Sequence, residues 1–84
     1  MTRDEMFATV KANIREIVEG TKDVDIREDQ SMRDLGADSL EIVEVVSRSM
    51  KQLQIKVPRT QLSGASNLKE LLDLFEKSAM AARG

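Results

Sequence analysis

Apolar residues recur at helical spacing in three separate blocks of this chain, and that recurrence constrains the fold more than any other feature. Phe7, Val10, Ile14, Ile17 and Val18 trace one helical face in the first block. Thr2, with Glu5 three residues later, fits a capping box ahead of it, and Gly20 is a natural stop. These signals predict a first helix over 3–19. In the second block Ile42, Val45, Val46 and Leu53, with Ser49 between, fall at i, i+3, i+4, i+11 and i+7, predicting a helix over 39–53 with this core stripe. In the third, Leu68, Leu71, Leu72, Phe75 and Ala79 form the inward face of a last helix capped by Asn67 and Glu70. Val57-Pro58 reads as an extended residue followed by a proline at the first helical position, opening a short helix to about Ser63 that Gly64 ends. Residues 81–84 are expected to fray. The fold class is all-α, with three main helices and one short one in a single domain spanning 1–84. The aliphatic composition, with 2 Phe, no Trp and no Tyr, agrees with a helical bundle and not with a β-sandwich.

At 84 residues the core is thin, and a deep pocket with many catalytic groups is not expected. The chain has no Cys and no His. That removes disulfides, thiolate and imidazole metal sites, Cys nucleophiles and His general bases together. No metal site is expected. No apolar run is long enough to span a membrane, and residues 1–5 lack the order of a secretory signal, so a cytoplasmic protein is expected. Residues 1–47 carry 12 acids and 6 bases, net −6, whereas residues 48–84 carry 3 acids and 7 bases, net +4. Such a bipolar surface fits either two solvated faces or partner selection. Overall acidity and the lack of stacking aromatics argue against nucleic acid.

Residues 20–37 break any regular period and read as a long loop, an unusual element in a compact domain. Val24, Ile26, Met32 and Leu35 are expected to pin it to the core. It ends in Asp34-Leu35-Gly36-Ala37-Asp38-Ser39-Leu40. Gly36 permits a left-handed turn, Asp38 can accept from free N–H groups of the following helix, and Ser39 projects from its first turn. An anion on Ser39 would sit in the positive field of the helix start, with Asp38 opposing it, and a helper cation would relieve that conflict. No residue is present to activate Ser39 as a nucleophile, so Ser39 reads as another enzyme's substrate. On Asp38-Ser39-Leu40 alone, simple capping would be the better reading.

The longer stretch, with Glu41 and Val43-Glu44 following it, resembles the signature of the acyl carrier protein family. The resemblance extends over nearly the whole chain, including the pinned loop with Ile26 and Ser31-Met32 and the Val57-Pro58 turn. It implies a four-helix bundle with a long first loop. It further implies covalent 4′-phosphopantetheine at Ser39, placed there from coenzyme A by a phosphopantetheinyl transferase, to hold acyl groups as thioesters at high effective concentration. By the same resemblance Asp38 helps the transferase engage. Leu40 and Val43 would be apolar docking contacts, and Glu41 and Glu44 would meet basic patches on partner enzymes. Ser47 lies on the same stripe as Leu40, Val43 and Met50, and Lys51 is grouped with these docking residues. The stripe itself admits a second reading, as a widened core. The acids Glu41 and Glu44 are equally explained by a solvated helix face near its N-terminus.

Two departures from fatty-acid carriers stand out. Arg48, Lys51, Lys56 and Arg59 are basic, with no acid between Glu44 and Glu70, which suggests a specialised carrier. Ser49 interrupts the core stripe, and is expected either to bond back to a helix carbonyl or to leave room, with weaker packing and little capacity to hide a long acyl chain. These departures suggest a discrete monomeric carrier of a polyketide pathway. The expected partners are a ketosynthase or acyltransferase, or, for a donor carrier in β-branching, a hydroxymethylglutaryl-type synthase. The competing readings are an aminoacyl or peptidyl carrier, with the same chemistry at Ser39, and an unmodified helical adaptor. An enzyme is the poorest reading, because no acid–base–nucleophile set is visible.

Overall fold

The computed structural model of the chain describes residues 1–83. It contains four helices: α1 (Arg3–Ile17), α2 (Ser39–Leu53), α3 (Arg59–Leu62) and α4 (Leu68–Arg83). The capping box of α1 is present, with Glu5 N–H donating to Thr2 Oγ1 at 3.1 Å and Thr2 N–H donating to Glu5 Oε1 at 3.1 Å. α1 ends two residues before its predicted limit. Val18 leaves the helix in an extended conformation, and the Thr21 hydroxyl, buried at 1% exposure, donates to the carbonyls of Val18 (2.7 Å) and Ile14 (3.2 Å). A side chain from the loop thus satisfies the Val18 carbonyl, which a further helical turn would have used.

α1 packs chiefly on α2 and secondarily on α4. Its buried face is turned from the predicted one: Met6, Val10, Asn13 and Ile14 are buried, while Phe7 and Ile17 are only half-buried. Phe7 instead lies under the Lys11 ammonium, 4.4 Å from the ring centroid, an arrangement favourable to a cation over an aromatic face. Val45, Val46 and Leu53 of α2 and Leu68, Leu71, Leu72 and Phe75 of α4 complete the core.

Ser49 does not bond back to a helix carbonyl. It is fully buried and accepts a hydrogen bond from Asn13 Nδ2 at 2.8 Å, while the same nitrogen donates to Gln52 Oε1 at 2.9 Å. A polar bridge therefore joins α1 to α2 inside the core.

The loop over 18–38 is held as predicted at Ile26 and Met32, which are buried, and at Leu35, which is half-buried, but Val24 is exposed. Its backbone also caps α4. Gln30 and Glu28 carbonyls accept from the N–H groups of Leu68 (2.9 Å) and Lys69 (2.8 Å). Arg3 ties the same corner together, pairing with Glu28 (2.6 Å), Asp73 (2.8 Å) and Glu76.

Pro58 is the N-cap of α3 and not its first helical residue. At α4 the Asn67 side chain accepts from Glu70 N–H at 2.9 Å, and the Glu70 carboxylate reaches back to Ser66 N–H at 2.7 Å. α4 continues through residues 81 and 82, where fraying was predicted, to Arg83; Gly84 lies outside the described residues.

Candidate functional site

The end of the loop is built so that a hydroxyl stands at the mouth of α2. Gly36 takes φ +98°, a conformation that favours glycine, and N–H groups of Leu35, Gly36 and Ala37 close a turn onto the carbonyls of Met32 and Arg33. Ala37, buried at 6% exposure, anchors the turn on the core. Asp38 is the N-cap of α2. Its Oδ1 accepts from Glu41 N–H at 2.8 Å, and Glu41 Oε1 accepts from Asp38 N–H at 3.0 Å. Ser39 follows as the first helical residue and is exposed.

Asp34 has its own local partners. It accepts from Ser31 N–H at 3.1 Å, and its N–H donates to Ser31 Oγ at 3.0 Å. Both acids flanking the turn are therefore engaged in backbone capping. The Ser39 hydroxyl instead receives a hydrogen bond from Arg33 Nη2 at 3.1 Å. Sequence reasoning missed Arg33. The signal was present as the one base in a stretch from Glu28 to Glu44 that otherwise carries Asp29, Asp34, Asp38 and Glu41.

The residues grouped as docking contacts divide into four kinds. Leu40 (82% exposed) and Val43 (51%) present bare aliphatic surface beside Ser39. Asp38 and Glu41 are the two members of the capping box, so the Glu41 carboxylate is committed to the helix start. Glu44 and Lys51 are exposed, Glu44 lying 3.4 Å from Arg48. Ser47 is exposed at the edge of a cavity. Within the basic second half, Arg48 is not free: it pairs with Glu16 of α1 at 3.2 Å as well as with Glu44. Lys51, Lys56 and Arg59 are exposed.

That cavity, of about 520 Å³, lies between α2, α3, the start of α4 and the loop. Met32, Ile42, Val46, Met50, Leu62 and Leu71 form its apolar wall, and Arg33 stands on its lining, linking it to Ser39. Its volume is in the range of small-ligand sites. Of the Leu40–Val43–Ser47–Met50 stripe, Val43, Ser47 and the half-buried Met50 line this cavity and Leu40 stands clear of it. Ser49 does not line the cavity, and its polarity therefore leaves the apolar wall intact.

Three comparisons bear on this geometry. Residues 8–75 match the family model for a phosphopantetheine attachment site. The chain is 27% identical over 82 residues to a polyketide biosynthesis acyl carrier protein, AcpK, of Bacillus subtilis strain 168, covering 98% of this chain and 100% of that one. It also superposes on a chain of the crystal structure of the HMG synthase of the curacin biosynthetic pathway in complex with an acetyl donor acyl carrier protein. That match has a TM-score of 0.81 and 33% identity, and covers 94% of this chain and 99% of the other.

Proposed function

The chain belongs to the phosphopantetheine-attachment family, that of the acyl carrier proteins, and we propose that it holds acyl intermediates on an arm attached at Ser39 in polyketide biosynthesis. The observation that carries the assignment of Ser39 is its hydroxyl, exposed at the first turn of α2 beside a cation. The residues fit the group. The oxygen is reachable by another enzyme, the phosphodiester would meet the positive end of α2 and the Arg33 guanidinium, and both neighbouring acids are occupied by backbone N–H groups.

When attached, 4′-phosphopantetheine supplies a thiol that carries acyl groups as thioesters. Ser39 contributes the oxygen: its Oγ–P bond forms as a pyrophosphate bond of coenzyme A breaks, releasing adenosine 3′,5′-bisphosphate. The base that takes the hydroxyl proton belongs to the transferase. Arg33 is a donor and cannot take that proton, and among the described residues no carboxylate or amine bonds the Ser39 hydroxyl, which supports reading the chain as the substrate of its modification. Leu40 and Val43 give a partner enzyme an apolar contact next to the arm, and the cavity wall offers an acyl chain shelter from water.

The likeness to a chain in the HMG synthase complex supports a narrower role, donation of a short acyl group to a synthase of that type. The test begins with intact mass. Incubation with coenzyme A and a broad-specificity transferase should add one phosphopantetheine to the chain and none to Ser39→Ala. An unchanged mass would make the chain an unmodified adaptor. Loading the holo-protein with an acetyl group and offering it to a hydroxymethylglutaryl-type synthase then separates the donor role, since a carrier of aminoacyl groups would not be turned over.

A further inference from the structure

We propose that Arg33 is a positioning residue for the prosthetic group, pairing with its phosphodiester and fixing the direction in which the arm leaves Ser39; this rests on the carrier reading above. Three observations converge on it. Arg33 Nη2 lies 3.1 Å from Ser39 Oγ, so the guanidinium is within hydrogen-bond reach of the oxygens of a phosphate attached there. Arg33 takes part in none of the ion pairs among the described residues, although Asp34 and Asp38 are near in sequence. Those two carboxylates accept from Ser31 and Glu41 N–H groups instead, which leaves the guanidinium uncommitted.

A phosphodiester is a better partner for that guanidinium than the hydroxyl it now holds. The bond would become charge-assisted, and the planar fork can engage two oxygens at once. The pair would also offset the repulsion that Asp38 exerts on the phosphate. Arg33 lies on the cavity lining, so a phosphate held there starts the arm along the mouth of the cavity and not out over Leu40. Lysine could supply the charge but not the fork.

The experiment uses holo-protein of the natural sequence, Arg33→Ala and Arg33→Lys, each made with coenzyme A and a transferase. The ³¹P resonance of the phosphodiester and the Arg33 Nε–Hε signal are followed from roughly 20 to 500 mM NaCl, across which the Debye length falls from about 20 to about 4 Å. In the natural sequence, the Nε–Hε signal should shift on attachment, and the ³¹P resonance should drift with salt as the pair is screened. In Arg33→Ala the ³¹P resonance should hold its high-salt position throughout, with Arg33→Lys between the two. Identical ³¹P positions and salt responses in the natural sequence and Arg33→Ala would overturn the role of Arg33 while leaving the carrier reading intact. Failure of the natural sequence to gain the arm by mass would overturn both. Because Arg33 is exposed and outside the core, loss of folding is not expected, and circular dichroism checks this directly.

Discussion

Replacing Ser49 by Ala should destabilise the fold through Asn13 and not through lost packing. Asn13 is 3% exposed and its Nδ2 carries two hydrogens, one committed to Ser49 Oγ at 2.8 Å and the other to Gln52 Oε1 at 2.9 Å. Alanine is nearly the shape of serine, so the cavity it leaves is negligible. It does orphan one N–H in a site that water does not reach, at a cost of about 1–3 kcal/mol. Removing both members, as in Asn13→Leu with Ser49→Ala, takes away the orphan and replaces the amide with a side chain of similar volume, so the double variant should be more stable than Ser49→Ala alone. Urea unfolding followed by far-ultraviolet circular dichroism reads this directly, as a lower midpoint at unchanged slope for Ser49→Ala. In a domain of this size each kcal/mol corresponds to about 4–8 °C in Tm. The reasoning would be refuted if Ser49→Ala unfolded within about 0.5 kcal/mol of the natural sequence, the range of an unremarkable surface change. It would equally be refuted if the two substitutions proved simply additive, because a shared hydrogen bond requires coupling.

Other outcomes follow from the same structure. Arg3 holds the Asp73 carboxyl below its usual value, and the Thr2 backbone N–H does the same for Glu5, so both groups add stability that is present above the unfolded values of 3.8 and 4.5. That stability is lost as pH falls below those values and through the lower folded ones, and Asp73→Asn should flatten the acid limb of a Tm-against-pH curve. Gln54 closes α2 in the left-handed region at φ 57°, where a side chain is strained, so Gln54→Gly should raise stability by about 0.5–1 kcal/mol in chemical unfolding. Leu40→Ala and Val43→Ala should leave Tm nearly unchanged, given their exposure, yet lower the efficiency of arm transfer at least about fivefold, as expected of apolar anchors in an interface. Transferase kinetics on purified variants checks this, and normal turnover of both would remove the stripe from the docking surface.

The elements most legible in the sequence were those fixed by neighbours. Ser39–Leu53 was readable because Asp38 offers a cap directly before it and Leu53 ends its stripe; that Glu41 completes the cap is seen only in the structure. The α1 terminus was not, since Val18 continues the apolar period and only the folded Thr21 hydroxyl shows that the helix has stopped. The Met6 and Asn13 face of α1 was missed for a similar reason: Phe7 looks like core until Lys11 is seen covering its ring, and Asn13 looks like surface until Ser49, 36 positions on, supplies its acceptor. Ser39 was legible as a displayed hydroxyl, but its cation was not, because the loop between Arg33 and Ser39 must turn at Gly36 before the two meet. The cavity is assembled from four parts of the chain and leaves no local mark in any of them.

The use of loop carbonyls to cap α4 gives the molecule an internal clock. The amides of Leu68 and Lys69 donate to Gln30 and Glu28, so neither can exchange with deuterium until the long connection lifts away from the helix it closes. Their exchange rates therefore time the breathing of the platform on which Ser39 stands. Any ligand that steadies that platform would slow both amides together.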